Sequence, residues 1–354
     1  MTRSVEGICI RESATLRYAV EAIDKGAVQI ALVTDEHGRL NATVTDGDIR
    51  RALLRGLGLD APVAEAMNRS PMTGHRGESR GSLAAKMRAK SVHQIPLVDD
   101  QGRVVDLVLF EDLSGDSQRR MVDTEVFLMA GGQGLRLRPL TLNTPKPMLQ
   151  VGGKPLLEVI VENFAKQGFG QFTISLNYLG HVIRDHFGDG SRHGVSIAYV
   201  EETKAMGTAG ALSLLPEVPE HPLIVMNADL LSSVRFESIL NFHRENGAMA
   251  TVCAREHRTQ IPYGVLRTEG AKLAGIEEKP TMCHYVNAGI YILSPEIIAL
   301  AEPETPLDMP DLLQKAMDQG GEVSVFPLME DWIDIGRHED LERARLAHEG
   351  GEDS

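Results

Sequence analysis

The chain has 354 residues, a length typical of two domains of about 100–200 residues each. Its apolar fraction of 42% and charged fraction of 24% exclude a disordered or fibrous protein, because both are ordinary for globular domains. The net charge of -14 argues against a nucleic-acid-binding or anionic-membrane surface, since either requires clustered Lys and Arg.

The charge is unevenly divided along the chain. Residues 1–123 carry 17 basic and 18 acidic side chains, whereas residues 124–354 carry 19 and 32. No apolar run approaches the roughly 18–20 residues of a membrane-spanning helix, and the N-terminus has no apolar signal-peptide core. An odd number of cysteines without a CxxC pair favours free thiols: Cys9, Cys253 and Cys283. We therefore expect a cytoplasmic protein with two domains, residues 1–120 and 121–354.

The N-terminal part contains two copies of one sequence pattern, a helix, two strands and a second helix. In the first copy these are expected at 14–25, 29–33, 41–45 and 46–56. In the second copy they are expected at 82–90, 94–98, 103–110 and 111–113. The dipeptide Gly38-Arg39 recurs as Gly102-Arg103, 64 residues later. A period of this length predicts two units that pack on each other.

This repeat resembles a tandem pair of CBS modules, over about residues 1–118. In that family a nucleotide, usually one containing adenine, binds between the modules, and a T-x-x-D motif contacts its phosphate and ribose. Thr45 and Asp48 match the motif, whereas the second copy keeps Asp112 but has Leu109 in place of the Thr. The resemblance implies an adenine nucleotide at these residues. Capping of the following helix is the structural alternative for Thr45 and Asp48.

From residue 124 the pattern alternates strands with helices. Strands are expected at 125–130, 172–176, 195–200 and 223–229. Helices are expected at 155–168, 181–190 and 208–215. The continuous apolar run at 125–130 is typical of a buried parallel strand. We therefore expect an α/β fold with an open, mainly parallel sheet, helices on both faces, and ligands at the carboxyl ends of the strands.

A glycine-rich segment, GGQGLRLRPLTLNTPKPML, follows the first of these strands at residues 131–149. Glycines let backbone N–H groups approach an anion closely, and Arg136, Arg138 and Lys146 supply positive charge for a polyphosphate. The segment is neither a Walker A loop nor a GxGxxG motif. Glycine-rich loops near arginines often bind nothing, so the spacing alone leaves its role open.

The complete string closely resembles the signature of sugar-1-phosphate nucleotidyltransferases, the sugar-nucleotide pyrophosphorylases. Further segments resemble motifs of that family in the same order: MGTAGAL at 206–212, NAD at 227–229, EEKP at 277–280, VNAGIYIL at 286–293 and WIDIG at 332–336. The resemblance spans about residues 124–347 and departs at Leu135, where the family usually has Thr. It implies a Rossmann-like, GT-A-like nucleotidyltransferase domain, preceded here by the tandem CBS domain of α+β type.

The resemblance also implies a role for each matching residue. The charged residues expected at the reacting phosphates are Arg136, Lys146, Asp229, Lys279 and Asp334. The residues expected to contact the nucleotide are Gly131, Gly132, Gly134, Asn177, Gly207, Thr208 and Gly210. The residues expected to contact the sugar are Glu202, Gly264, Glu278 and Asn287. Asp229 and Asp334 are expected to share one Mg²⁺, although each also fits a turn or a helix cap.

The implied reaction is attack by a sugar 1-phosphate, of hexose or hexosamine type, on the α-phosphorus of a nucleoside triphosphate, with release of pyrophosphate. The CBS pair makes the chain most similar to guanylyltransferases, so GTP is the expected nucleotide, with UTP, dTTP and CTP as alternatives. A catalytically inactive sugar-nucleotide sensor and a glycosyltransferase of similar fold are the other readings. The complete set of charged residues argues against the sensor, and the PKP and EEKP segments argue against the glycosyltransferase. We expect a homo-oligomer, because CBS pairs commonly associate, and no nucleic-acid or membrane partner.

Overall fold

The computed structural model describes residues 5–90, 92–114 and 123–349. The chain separates into two compact units, Met1–Arg120 and Met121–Ser354, each with its own sheets and buried core. The domain boundary expected after residue 120 lies outside the described residues. Among the described residues, no helix combines the length and the hydropathy needed to cross a membrane.

The N-terminal unit consists of two copies of one β-α-β-β-α unit. The first copy contains β1 (Cys9–Ile10), α1 (Leu16–Gly26), β2 (Ile30–Thr34), β3 (Leu40–Thr45) and α2 (Asp46–Leu54). The second copy contains β4 (Gly74–His75), α3 (Arg80–Lys90), β5 (Gln94–Val98), β6 (Val104–Leu109) and α4 (Phe110–Ser114). In both copies the first strand pairs parallel with the second, which pairs antiparallel with the third. The expected repeat is confirmed.

Equivalent turns of the two copies pair with each other. Arg39 and Arg103 form an antiparallel bridge, and the amide of Leu40 donates to the carbonyl of Gly102 at 2.9 Å. On the other side of the bridge, the amide of Val104 donates to the carbonyl of Gly38 at 3.0 Å. Because exchanging the two copies exchanges these two bonds, a local two-fold axis relates the copies at this point.

The C-terminal unit alternates strands and helices over most of its length. Its strands are β7 (Val126–Met129), β8 (Gln150–Val151), β9 (Lys154–Pro155), β10 (Gln171–Leu176), β11 (Ser196–Glu201), β12 (Leu223–Asn227), β13 (Leu230–Ser232), β14 (Ala250–Gln260), β15 (Gly264–Glu269), β16 (Lys272–Glu278), β17 (Thr281–Leu293), β18 (Val323–Leu328) and β19 (Trp332–Asp334). Its helices are α5 (Leu156–Lys166), α6 (Gly180–Phe187), α7 (Gly207–Gly210), α8 (Phe236–Asn246), α9 (Pro295–Ile298), α10 (Met309–Asp318) and α11 (His338–Glu349).

Seven of these strands form one twisted sheet in the order β11-β10-β7-β12-β17-β14-β18. Only the pairings of β17 with β12 and with β14 are antiparallel, so β17 runs against the other six strands. The expected α/β fold with a mainly parallel sheet is confirmed. The carboxyl ends of β11, β10, β7 and β12 therefore lie side by side at one edge of the sheet.

The central strand β7 explains the continuous apolar run that the sequence shows there. Val126 and Leu128 belong to a core that includes residues of α5 and α8, whereas Phe127 belongs to a second core that includes residues of α10. Successive side chains of a strand point to opposite faces. A strand covered by helices on both faces must therefore be apolar at every position.

The helix expected at 208–215 is shorter than the sequence pattern indicates. The α-helix α7 ends at Gly210, and a 3₁₀ turn follows at Ala211–Leu214. Leu215 is already extended, and it precedes Pro216. The helical region is disfavoured for a residue before proline, because the proline ring clashes with its backbone.

The distal halves of β14 and β17 continue beyond the sheet and, with the hairpin β15–β16, form an arm (residues 256–285). Most side chains of the arm are exposed. Its base is fixed by Arg255, whose guanidinium donates to the carbonyls of Leu328 (3.2 Å) and Glu330 (2.7 Å). The arm thus extends a strand pair of the central sheet into solvent.

Candidate active site

Residues from four neighbouring strand ends meet at the carboxyl edge of the sheet. Glu202 follows β11, Asn177 follows β10, Gly131 lies just beyond β7, and Asp229 lies just beyond β12. These strands are consecutive in the sheet, so the four residues lie in that order along its edge. The loop at 131–149 thus begins in the middle of the edge where parallel sheets bind ligands.

Gly131 is a glycine because two neighbouring side chains occupy the space of a Cβ atom. A Cβ at this position would lie 2.5 Å from Oε1 of Glu202 and 3.2 Å from Cβ of Asn177. Gly132 is different, since a Cβ there would have no neighbour within 4 Å. The structure therefore brings Gly131, Asn177 and Glu202 together and leaves the backbone beside Gly132 open.

Gly134 holds the loop against the segment that carries Lys146. Its φ of 60° lies in the left-handed region, which favours glycine. A Cβ there would lie 2.9 Å from Cγ2 of Thr141 and 3.1 Å from Cβ of Lys146. The hydroxyl of Thr141 donates to the carbonyl of Gly134 at 2.9 Å. Close packing therefore fixes Lys146 relative to the glycine loop.

Lys146 is buried and forms an ion pair with Asp229. Its ammonium donates to Oδ2 of Asp229. The other oxygen, Oδ1, is buried and has no hydrogen-bond partner among the described residues. Because a buried carboxylate oxygen without a partner is costly, this atom is suited to a cation or donor that arrives with the substrate.

Asp334 lies beside Asp229 through the pairing of β13 with β19. Leu230 is opposite Asp334 in that pairing, and the amide of Ile335 donates to the carbonyl of Asp229 at 3.0 Å. Burial raises the pKa of Asp334, and the negative charge of Asp229 raises it further. The positive charges of Lys146 and Arg136 act in the opposite direction on this pKa. Two carboxylates and two cations therefore share one small region.

Arg136 reaches this region from a 3₁₀ turn, Leu135–Leu137, that follows the glycines. Leu137 is fully buried and anchors the turn, whereas Arg136 is exposed. A Cβ on Gly336, just after β19, would lie 3.5 Å from the guanidinium of Arg136. The structure thus assembles four of the five charged residues expected from sequence: Arg136, Lys146, Asp229 and Asp334.

The donors present fit a magnesium ion. Two carboxylates supply hard oxygen ligands, and one of their oxygens is buried without a partner. Within 5–90, 92–114 and 123–349, no three His, Cys, Asp or Glu side chains form a metal-binding group. Mg²⁺ typically takes one or two protein carboxylates and completes its octahedron with phosphate oxygens and water.

Glu202, which was expected to contact the sugar, lies at the carboxyl edge of the sheet beside Gly131 and Asn177. The amide of Met206 donates to its Oε2 at 3.2 Å. Burial raises the pKa of the Glu202 carboxyl, and contacts with the Met206 amide, Ser175 and Asn177 oppose that rise. A half-buried acceptor thus lies next to Gly131, where the resemblance places the nucleotide.

The segment at 207–210 is held by contacts with a second helix. A Cβ on Gly207 would lie 2.6 Å from the carbonyl oxygen of Leu307, and the amide of Thr208 donates to Oδ1 of Asp308 at 3.1 Å. In return the amide of Met309 donates to the hydroxyl of Thr208 at 2.7 Å. Gly210 is equally close to this segment, since a Cβ there would lie 2.9 Å from the carbonyl oxygen of Thr305. Thr208 and Asp308 therefore cap each other's helices, and packing accounts for the two glycines.

Two of the residues expected to contact the sugar, Gly264 and Glu278, lie on the arm together with Lys279. Gly264 is opposite Glu278, and a Cβ on Gly264 would lie 2.9 Å from Oε2 of Glu278. Lys279 has a φ of 47°, and its amide donates to the carbonyl of Tyr263 at 3.3 Å. The described hydrogen bonds of these residues stay within the arm. Asn287 lies nearer the sheet, where its Oδ1 accepts from the amide of Gly289 at 2.9 Å.

In the N-terminal unit, Thr45 and Asp48 form a capping box at the start of α2. The Thr45 hydroxyl accepts from the Asp48 amide at 3.2 Å and donates to Oδ2 of Asp48 at 2.8 Å. Arg51 donates to the other oxygen of Asp48 at 2.7 Å. In the second copy Asp112 accepts from the amide of Leu109 at 3.4 Å, without a Thr hydroxyl. Helix capping, the structural alternative, therefore accounts for the contacts between Thr45 and Asp48 in this structure.

Comparisons with known proteins agree with this geometry. Residues 125–350 match the family model described as nucleotidyl transferase, and residues 1–55 and 63–115 each match the CBS domain. This chain belongs to the nucleotidyl transferase family. The expected combination of a nucleotidyltransferase domain with an N-terminal CBS pair is confirmed.

Two curated relatives illustrate the similarity of the nucleotidyltransferase domain. The chain is 31% identical over 240 residues to the UTP–glucose-1-phosphate uridylyltransferase of Synechocystis sp., covering 62% of this chain and 62% of that protein. It is 32% identical over 223 residues to the mannose-1-phosphate guanyltransferase of Yarrowia lipolytica, covering 60% and 61%. The chain thus spans less than two thirds of the length of the curated relatives it matches.

A solved structure shows the same fold. HddC from Yersinia pseudotuberculosis has a TM-score of 0.50 and 25% sequence identity, and the match covers 63% of this chain and 99% of that chain. The expected fold class of the nucleotidyltransferase domain is confirmed.

Sequence reasoning missed three residues that shape the nucleotidyltransferase site. Thr141, fully buried, fixes the glycine loop, and Asp308 caps the helix at Gly207. Ser175 lies near Glu202, although its buried hydroxyl has no hydrogen-bond partner among the described residues. Thr141 lies inside the PLTLNTPKP string, so its position in the motif was a usable signal. Ser175 and Asp308 carry no comparable local pattern, because their contacts join distant parts of the chain.

Proposed function

We propose that this chain transfers a nucleotidyl group from GTP to a sugar 1-phosphate of hexose or hexosamine type, giving a nucleoside diphosphate sugar and pyrophosphate. The observation that carries the proposal is the buried Lys146–Asp229 pair, with Asp334 and Arg136 beside it, at the carboxyl edge of the sheet. Relatives named as uridylyltransferases and guanyltransferases of sugar 1-phosphates share this reaction class.

The reaction needs charge neutralisation and in-line positioning more than covalent catalysis. Backbone N–H groups of the open loop at Gly132 and Gly134 would bind the triphosphate. Arg136 is exposed beside the carboxylates and would stabilise charge on the leaving pyrophosphate. Lys146, held by packing, would lie at the α-phosphate, and Lys279 of the arm would bind the phosphate of the sugar.

Asp229 and Asp334 would hold one Mg²⁺ on the proposed reaction path. The ion would supply positive charge that offsets the negative charge of the reacting phosphates. The protein's own contribution is to keep the two carboxylates together by the β13–β19 pairing and to offset their repulsion with Lys146. The unpartnered Oδ1 of Asp229 supports this assignment.

Glu202 supports GTP as the nucleotide. The Watson–Crick edge of guanine presents two adjacent donors, N1–H and N2–H₂, and a carboxylate accepts both. Uracil, thymine and cytosine do not present that pair. Glu202 is a half-buried acceptor beside Gly131 and Asn177, and it has an oxygen directed at the glycine loop. We therefore assign Glu202 to the base rather than to the sugar.

The N-terminal CBS pair has its own proposed ligand, an adenine-containing nucleotide at Thr45 and Asp48. Both side chains are half-buried, and their hydroxyl and carboxylate are suited to phosphate and ribose. A bound nucleotide would compete with the Thr45–Asp48 contact. The free thiols fit the reducing cytoplasm expected from sequence, and a homo-oligomer remains part of the proposal.

The experiment is release of pyrophosphate from each of GTP, UTP, dTTP, CTP and ATP with Mg²⁺ and a panel of hexose and hexosamine 1-phosphates. We expect one combination with GTP to be fastest. If pyrophosphate release is fastest with a pyrimidine nucleotide, the assignment of Glu202 to guanine is wrong, but the proposed nucleotidyl transfer still stands. Tight binding of a sugar nucleotide without release from any combination would instead support the inactive sensor.

A further inference from the structure

The arm presents a strand with a free edge and an exposed apolar face. β15 and β16 form a sheet of two strands, and no other strand in the described part of the chain pairs with β16. A lone ribbon of this kind is marginally stable in water, and a free edge is a template for another strand. The arm therefore has the features of an element that is completed by a partner.

The apolar face is defined by the strand register. Leu266 lies opposite Ile276, and Thr268 lies opposite Leu273, so these side chains share one face. Three of these side chains are apolar and exposed: Leu266 is 59% exposed, Ile276 60% and Leu273 57%. A shift of register between Arg267 and Thr268 brings Leu273 onto this face. Clusters of large, exposed apolar side chains are uncommon on surfaces that do not bind a partner.

The sequence of β16 is complementary to itself in the antiparallel direction. With a two-fold axis between Ala274 and Gly275, Lys272 lies opposite Glu277 of the partner subunit. In the same register Leu273 lies opposite Ile276 of the partner subunit. Lys272 pairs with Glu269 and Glu277 with Val265, which places both charged residues on the face away from Leu273. In this register, residues opposite each other therefore lie on the same face of the sheet, with opposite charges paired and apolar side chains paired.

We propose that β16 pairs antiparallel with β16 of a second copy of this chain. The result is a four-stranded sheet in the order β15-β16-β16-β15, with Leu266, Leu273 and Ile276 of both copies on one face. The edge charges that would repel an unrelated strand form two Lys272–Glu277 pairs in this register. Glu278 lies opposite Ala271 of the partner subunit, at the end of the paired segment. The inference does not depend on the proposed reaction.

Cysteine cross-linking tests the position of the axis. In the full chain with Cys283→Ser, which removes the exposed thiol of the arm, Ala274→Cys places two cysteines beside the axis. The matched control is Thr268→Cys on β15. In the proposed sheet the two copies of residue 268 are three strand spacings apart, about 14 Å. A disulfide requires Cα atoms within roughly 7 Å. We expect a disulfide-linked dimer with Ala274→Cys and not with Thr268→Cys. Equal yields, or no dimer with Ala274→Cys, would overturn the proposal.

A charge exchange tests the register in the same Ala274→Cys chain. Lys272→Glu and Glu277→Lys should each lower the dimer yield severalfold, and the double exchange should restore it. A contact of the arm with its own chain or with an unrelated protein would not respond in this way. Yields that ignore the single reversals, or a double exchange that does not restore the dimer, would overturn the register. Circular dichroism of each variant checks that the fold is retained.

Discussion

Lys146 and Asp229 form an ion pair across 83 residues of sequence. The lysine side chain is 10% exposed and the aspartate side chain 26%, so the pair is shielded from water. One carboxylate oxygen accepts from the ammonium, and the other is buried without a partner among the described residues. The pair links the glycine-loop segment to the end of β12 and leaves one acceptor available.

Replacing either carboxylate of the site should abolish most of the activity. Asp229→Asn and Asp334→Asn each remove a negative charge and a hard ligand, so we expect kcat to fall by about two to three orders of magnitude. Circular dichroism should be unchanged. Asp331→Asn is the control, because Asp331 is exposed and lies just before β19. Near-normal pyrophosphate release in both variants would remove the carboxylates from the mechanism.

Two adjacent glycines should respond differently to alanine. Gly131→Ala places a methyl 2.5 Å from Oε1 of Glu202, so the loop or the carboxylate must move and Tm should fall. Gly132→Ala meets nothing within 4 Å, so Tm should be unchanged. Its methyl would instead interfere with a triphosphate held by the backbone, raising KM for GTP by about tenfold. Unchanged KM in Gly132→Ala would argue against phosphate contact at that position.

Glu202→Gln should change nucleotide preference. The amide presents one acceptor and one donor in place of two acceptors, so the contact with N1–H and N2–H₂ of guanine is lost. We expect kcat/KM for GTP to fall by about 10²-fold while weak activity with UTP changes little. Glu201→Gln is the matched control, since Glu201 is exposed and paired with Arg184. An equal loss with every nucleotide would assign Glu202 to a role other than base recognition.

His243 should make stability depend on pH. It is buried beside Thr251 and Ser294, and burial, followed by the charge of Arg244, lowers its pKa from 6.5 to about 4. Between these values the unfolded state binds the extra proton, so stability falls as pH decreases from about 6.5 towards 4. His243→Gln should therefore show a smaller decrease in Tm than the wild type between pH 7 and pH 5. The exposed His257→Gln variant should behave like the wild type.

The CBS pair should bind an adenine nucleotide through its first copy only. AMP in excess over its Kd should raise Tm of the full chain, by mass action on the folded state. The shift should disappear in Asp48→Asn and persist in Asp112→Asn, because Leu109 replaces the Thr of the second copy. The ligand-induced shift in Tm is compared rather than Tm itself, since Asp48→Asn weakens the capping box and lowers Tm without ligand. No shift in the wild type would contradict the proposed ligand.

The sequence determined most of the fold, since patterns of spacing and apolarity are local. The 64-residue repeat predicted two equivalent copies, and the run at 125–130 predicted a strand covered on both faces. The main error was the length of the helix at 207–210. Its apolar spacing continued to residue 215, whereas the chain changes to a 3₁₀ turn at Ala211 and is extended at Leu215, before Pro216. The pairing of Arg39 with Arg103 was not predictable, because bridging between copies has no local signal.

The sequence also determined which residue types carry the chemistry, since the motif strings contain Arg136, Lys146, Asp229 and Asp334. Only the tertiary structure decided how they are grouped. It paired Lys146 with Asp229, placed Glu202 beside Gly131 and Asn177, and engaged Thr208 in helix capping. Such groupings depend on which strand ends are neighbours and on which side chains compete for the same space. Both are properties of the packed chain, in which residues far apart in sequence fix each other's positions.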